Sequence, residues 1–238
     1  MACNLFGNLR QPEDLDILCL TTEWEQEALK SKLVALNSNF YLIDSRDPTA
    51  TYRVLWYLLT DTDSCVKVDL LFPGVLDIPS IPGSSITRAN AYHLPCAPLS
   101  LVLLLKLQAW NHHSEALEYR YRAKQPTDAR DIEALLPIAS KMGLQLRSDA
   151  VLPQSFVSKS IARAEKFMRV VPSSRAFWEK LGMVEKAKPV PIKTVLPMRK
   201  PGEVQTKKTI QVTIPKSVVK PSSSGVRRPG YTYDFDFM

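Results

Sequence analysis

Histidine is scarce and metal-type cysteine spacing is missing. The 238 residues contain 3 His and 4 Cys. The cysteines (Cys3, Cys19, Cys65, Cys96) form no CxxC pair and have no His at ligand spacing, which leaves no zinc ribbon, zinc finger or dithiol redox motif. They stand in apolar or strand-like surroundings and read as buried free thiols of a reducing compartment. No apolar run reaches the roughly 20 residues that span a bilayer: "CAPLSLVLLLKLQAW" is broken at Lys106 and reads as a buried helix. The opening "MACNLFGNLR" has no basic start followed by an apolar run, so an intracellular (cytoplasmic or nuclear) protein without a membrane partner is expected. "GSS" at residues 83–85 lacks the Lys and helix of a phosphate loop. Nothing supports a Ser-His-Asp triad, and His112 and His113, beside Trp110 at a helix end, read as surface or interface packing.

What is present is enough apolar residue, 45%, to bury a core of one domain, or of one and a small second. The net charge of +7 looks like a nucleic-acid signature until it is located. Residues 186–238 carry 11 Lys/Arg against 3 acidic residues, leaving 20 basic and 21 acidic residues in the first 185. A basic-surface argument therefore applies to the tail alone, a Pro/Lys/Ser-rich stretch with little apolar periodicity that reads as disordered and able to contact polyanions. Its aromatic and acidic end, "YTYDFDFM", reads as a short docking peptide or an unselected terminus.

Along the chain, "LDILCL" (Leu15–Leu20) is a strand candidate, followed by an amphipathic helix in "TTEWEQEALKSKLVAL" with Thr22 and Glu25 as a capping box and Trp24, Ala28, Leu29, Leu33 and Leu36 near one face. Three strands follow, Phe40–Asp44, Thr51–Leu59 and Cys65–Phe72, the last two as an antiparallel hairpin across "TDTDS". A connector rich in Pro, Gly and Ser covers Pro73–Pro98. Helices then occupy Leu99 to about His112, Thr127–Met142, Ser155–Val170 and Ser173–Leu181, the second and fourth ended by Gly143 and Gly182. This order predicts an α+β fold, a small mixed sheet with a helical module on or beside it, divided as 1–95, 96–185 and a tail at 186–238.

Asp14 and Asp16 lie two residues apart, so a strand turns both carboxylates to one side. Two carboxylates on one side suit Mg²⁺, which takes hard oxygen ligands and leaves room for waters and substrate phosphates. The spacing equally describes turn residues before a strand. In "KVDLLF", Asp69 is a lone acid in a core-grade strand, and an ionised carboxylate there needs a partner. If that strand lies beside Leu15–Leu20, Asp69 joins Asp14 and Asp16 as a third carboxylate of a two-cation site. The other reading is an ion pair with Arg10, Arg53 or Lys67.

These segments together resemble the nucleotidyltransferase fold of the DNA polymerase beta superfamily. "ACNLFGNLRQPEDLDILCL", a helix, a hairpin and "CVKVDLLFPG" follow that family's hGGxA…G…R…DhD segment and its third Asp on a later strand. "LVLLLKLQAWNHHSEALEYRYRAKQPTDARDIEALL" is similar to the helical segment of small stand-alone members related to abortive-infection toxin nucleotidyltransferases and to a group of fungal nucleotidyltransferase-like proteins. The resemblance covers roughly Met1–Leu136 and departs in one place: the family's Gly-Gly or Gly-Ser pair, where backbone N–H groups meet phosphate, has no counterpart after Met1, so residues 1–95 would be an N-terminally incomplete nucleotidyltransferase-like domain.

The resemblance implies a Mg²⁺- or Mn²⁺-dependent transfer of a nucleoside monophosphate from a nucleoside triphosphate to a hydroxyl on RNA, protein or a small molecule. Asp14 and Asp16 would hold the metals, and Asp69 would be the third ligand and would orient or deprotonate the acceptor. Lys106, with Arg10 and Lys124, would approach the nucleotide phosphates. Lys106 also reads as a lysine snorkelling from a buried helix. Asp128 and Asp131 read as cap and first-turn acids of the helix near Thr127. A catalytically inactive binding module of the same fold, tethered to a polyanion by the tail, is the other expectation.

Overall fold

The computed structural model describes residues 2–21, 23–60, 64–88 and 93–184, all within one compact unit. The tail at 186–238, the docking peptide at its end and the cap residue Thr22 lie outside the described residues. The chain is α+β. Its elements are α1 (Ala2–Leu5), β1 (Asp14–Leu18), α2 (Gln26–Leu36), β2 (Phe40–Asp44), β3 (Arg53–Leu58), β4 (Cys65–Leu71), α3 (Leu99–Glu115), α4 (Tyr119–Arg122), α5 (Gln125–Lys141), α6 (Gln154–Val170) and α7 (Arg175–Lys180), with short 3-10 turns between β4 and α3. The strands form one mixed sheet in the order β1-β4-β3-β2, with β1 parallel to β4 and the other pairs antiparallel.

Side chains of a strand alternate between faces, and the register decides which ones meet. Leu15, Val68, Leu55 and Leu42 fall in one row, and with Leu70, Tyr57 and Phe40 they pack on Leu29, Leu33 and Val34 of α2. Phe40 and Tyr57, opposite one another, meet edge to face at 4.8 Å between centroids. The opposite face carries Asp14, Asp16 and Leu18 of β1, Lys67, Asp69 and Leu71 of β4, Val54 and Trp56 of β3, and Ile43 of β2. It is covered unevenly. Leu18 and Leu71 belong with the helical core, whereas Ile43, at the other side, is 49% exposed.

That helical core is built around α3, which is buried on all sides from Leu99 to Trp110 and therefore needs no polar stripe. It runs between α5 and α6. Trp110, Phe167 and Trp178 stack edge to face across α3, α6 and α7 at 4.9 and 6.3 Å. After α5 and α7 the chain turns at Gly143 and Gly182, whose φ of 71° and 78° is the left-handed conformation a helix stop favours. No described helix is long and apolar enough to cross a membrane.

Three expectations change. Helix α2 begins at Gln26 with Glu25 as its N-cap, not as the third residue of a capping box. Gln26 and Glu27 are drawn into tertiary contacts instead: Gln26 Nε2 donates to Leu70 O at 2.7 Å, and Glu27 binds Lys30 at 2.7 Å and Arg53 at 3.3 Å. The buried stripe of α2 is accordingly Leu29, Leu33 and Val34, while Leu36 is 73% exposed and Trp24 precedes the helix under the Lys32 ammonium. All four cysteines are free thiols, but Cys65, the first residue of β4, is exposed.

The two sheet faces should respond unequally to mutation. Leu55→Ala is expected to cost about 2–5 kcal/mol in urea unfolding, and Ile43→Thr about 0.5 kcal/mol or less.

Candidate functional site

The parallel pairing of β1 with β4 sets Asp16 directly opposite Asp69, and Asp14 opposite Lys67. Neighbouring strands lie about 4.8 Å apart, so three carboxylates share one small area of one face. Asp14 is the first residue of β1, inside the strand rather than in a turn before it. Asp16 sits one step from Leu18, at the margin of the helical core, and both of its carboxylate oxygens are out of solvent with no hydrogen-bond partner among the described residues. Burial, then the charges of Asp14 and Asp69, push its pKa from 3.8 up to about 7. Asp69 has an answer to its own burial: the Lys67 ammonium, two residues away on the same face, lies 2.9 Å from its Oδ2.

The cations proposed for phosphate binding are committed elsewhere. Lys106 is 1% exposed, so it does not snorkel. Its Nζ lies 3.0 Å from Asp131 Oδ2 and 3.7 Å from Asp128 Oδ1. Arg10 Nε and Nη2 donate to the two oxygens of the same Asp131, each at 3.1 Å, and Asn8 Nδ2 adds a third hydrogen bond at 2.8 Å. Burial pushes the Asp131 carboxyl up, but Arg10, Lys106 and Asn8 outweigh it and hold the group below the ordinary carboxylate range. Asp128 is also fully buried, its carboxyl raised by burial against the partial relief of His113, whose Nδ1 lies 2.5 Å from Oδ2. The cap and helix-dipole readings of Asp128 and Asp131 are therefore replaced by interior ion pairing. The physical reason is that α5 starts at Gln125, which moves both acids past its N-cap and onto its buried side. His113, expected in surface or interface packing, is buried in the same network and stacked beside Tyr121 at 6.2 Å.

Lys124 is the N-cap of α5, where its carbonyl accepts from the Thr127 and Asp128 amides at 2.9 and 3.1 Å. Asp14, Asp16 and Asp69 are thus brought together, and Lys106 and Arg10 lie behind them within electrostatic reach of Asp16 and Asp14 respectively. The residue that sequence reasoning missed as a hub is Asp131. Its signal was Lys106, a lone cation in an otherwise apolar helix, which demands a buried anion somewhere in the chain.

On the uncovered side of the same face a pocket of about 470 Å³ opens over Trp56, Tyr52 and Ile43, with Arg46, Arg120 and Lys67 around it. A small cavity next to it shares Tyr52, Val54 and Lys67 and reaches Asp69.

Among the described residues no group of three or more His, Cys, Asp or Glu side chains stands in a ligand arrangement for a metal ion. The donor set is nevertheless of the hard-oxygen kind that Mg²⁺ takes, and the buried, unpartnered oxygens of Asp16 fit a cation. At Asp69, Lys67 already supplies a positive charge. No family model, curated protein or solved structure matches the chain.

Two outcomes follow. Because the folded pKa of Asp16 is raised, its contribution to stability is present below about pH 4 and is lost as pH rises through about 7. Asp16→Asn should equal the wild type near pH 4 and exceed it at pH 8 by on the order of 2 kcal/mol, about 4–8 °C in Tm by scanning calorimetry. Asp131→Ala removes the carboxylate shared by Arg10 and Lys106, leaving Lys106 the more distant Asp128, and should cost about 3–5 kcal/mol in urea unfolding.

Proposed function

We propose that the chain is a nucleotidyltransferase-fold protein that transfers a nucleoside monophosphate from a nucleoside triphosphate to a hydroxyl acceptor. The observation that carries this reading is Asp16: a buried carboxylate with no hydrogen-bond partner among the described residues, opposite Asp69 and on the same face as Asp14. Such a group calls for a proton or a cation, and three carboxylates in one area favour a divalent one. Asp14 and Asp16 would hold Mg²⁺ or Mn²⁺ with Asp69 as the third ligand. When bound, the ion supplies charge neutralisation for the triphosphate and its leaving pyrophosphate. Asp69, 2.9 Å from the Lys67 ammonium, would take the acceptor's proton. Lys106 and Arg10 act at one remove, holding Asp131 and with it the segment that leads into β1.

A second reading is favoured by the same Lys67. Its ammonium stands against Asp69, and Arg10 and Lys106 are both engaged by Asp131, which suits a catalytically inactive module of this fold that binds its partner through other surfaces, the basic tail included.

The test incubates the full chain with labelled nucleoside triphosphates, Mg²⁺ or Mn²⁺, and cellular RNA and protein. Label transfer by the wild type, lowered at least about 100-fold in Asp16→Asn, is the expected outcome. No transfer by the wild type overturns the transferase reading and leaves the inactive module, and equal transfer by Asp14→Asn/Asp16→Asn overturns the assignment of the carboxylates as its site.

A further inference from the structure

Ile43, Val54 and Trp56 belong to neither hydrophobic cluster. They alternate along β2 and β3 with residues that pack on α2, so they face the other side of the sheet, where with Tyr52 they floor the pocket of about 470 Å³. That volume falls within the roughly 300–1,000 Å³ of ligand sites. Around the floor stand three cations, Arg46, Lys67 and Arg120, against one acid, Asp44. Lys67 is engaged by Asp69. Arg46, from the segment after β2, and Arg120, from α4, are exposed and approach from two separate elements. Arg46 makes no ion pair among the described residues, and Arg120 holds Glu118 at 2.8 Å in a surface contact that another carboxylate can replace at little cost. The pocket is an aromatic and aliphatic floor under a cationic rim.

We propose that this pocket is the docking site of residues 233–238 of the same chain, "YDFDFM", with the rings of Phe235 and Phe237 against Trp56 and Ile43 and the carboxylates of Asp234 and Asp236 at Arg46 and Arg120. The proposal stands apart from the transferase reading. Its first support is complementarity of pattern and charge. The segment alternates ring and acid from Tyr233 to Phe237, and it holds two of the three acids of residues 186–238. Side chains of an extended chain alternate in direction, so rings turned onto the floor send the acids toward the rim, where guanidinium forks match carboxylate oxygens. Its second support is the poorer match elsewhere. The pocket beside Ile17 and Leu20 carries Glu23 and no cation, and the one beside Phe156 holds a single cation, Lys159, which is already 2.8 Å from Asp77. Its third support is reach. Val184, the last described residue, and Tyr233 are separated by 48 residues. A chain of that length spans up to about 160 Å, against a radius of gyration of about 16 Å for a globular unit of this size.

The test titrates the full chain with a fluorescein-labelled peptide of residues 231–238, "YTYDFDFM", read by fluorescence anisotropy. In the wild type the tethered segment competes with the peptide at a high effective concentration. The peptide is therefore expected to bind Phe235→Ala/Phe237→Ala at least about tenfold more tightly than the wild type. Adding Arg46→Glu/Arg120→Glu to that variant should weaken the peptide at least about tenfold, and a peptide carrying Asp234→Lys/Asp236→Lys should then bind the reversed pocket more tightly than the original peptide does. Both arginines are exposed, so the urea midpoint of the reversal variant should stay close to that of the wild type, which separates lost docking from lost folding. The proposal is overturned if the peptide binds none of these chains, if it binds the wild type as tightly as Phe235→Ala/Phe237→Ala, or if reversal of the arginines leaves its binding unchanged. Sedimentation equilibrium identifies the source of the segment. A monomeric wild type supports docking within one chain, whereas a dimer lost in Phe235→Ala/Phe237→Ala assigns the segment to a second copy and overturns it.

Discussion

A single buried carboxylate, Asp131, holds the architecture at its most improbable point. A lysine buried in the middle of α3, with a half-buried arginine ahead of β1, is unfavourable without an anion between them. Asp131 receives both, with an amide from Asn8, and so joins segments 121 residues apart in sequence. Because Arg10 lies four residues before the start of β1, this clamp also sets where that strand enters the sheet. The carboxylates of Asp14 and Asp16 inherit their position from it.

The second constraint is the uneven cover on one sheet face. Helix α3 and its neighbours reach Leu18 and Leu71 and stop, so the row above them, Asp16 and Asp69, falls on the margin between core and open pocket. At that margin the Asp16 carboxylate is out of solvent, and Asp69 lines the small cavity beside the pocket. Lys67 compensates one of the three acids. Asp16 is left to choose between a proton and a cation, and the two compete for the same oxygens, which couples any cation affinity there to pH.

Much of this was readable from local pattern. Alternation in "RVLWYL" and "CVKVDLL" marks β3 and β4, and glycines at 143 and 182 mark helix ends, because those signals depend on neighbours in sequence. The site was readable in part: Asp14, Asp16 and Asp69 stand out as acids in apolar strands. Their register was not readable, since nothing within either strand states that Asp16 opposes Asp69. Long-range pairing also hid the true roles of Asp128, Asp131, His113 and Lys106, each of which has an ordinary local reading as cap, dipole partner, surface residue or snorkelling cation. The start of α2 was misplaced because Gln26 and Glu27 answer to Leu70 and Arg53, partners that local propensity does not see.

The parallel contact between β1 and β4 also orders events in folding. A hairpin such as β3–β4 closes over a short turn, but Asp16 and Asp69 are 53 positions apart, and closing a loop of that length costs about 3–4 kcal/mol before any contact rewards it. Strand β1 leaves the ribosome before β4, its partner among the described strands, and before Asp131, which completes the clamp. The carboxylate cluster is therefore among the last features to assemble, and β1, an edge strand among the described residues, waits longest for its neighbour β4.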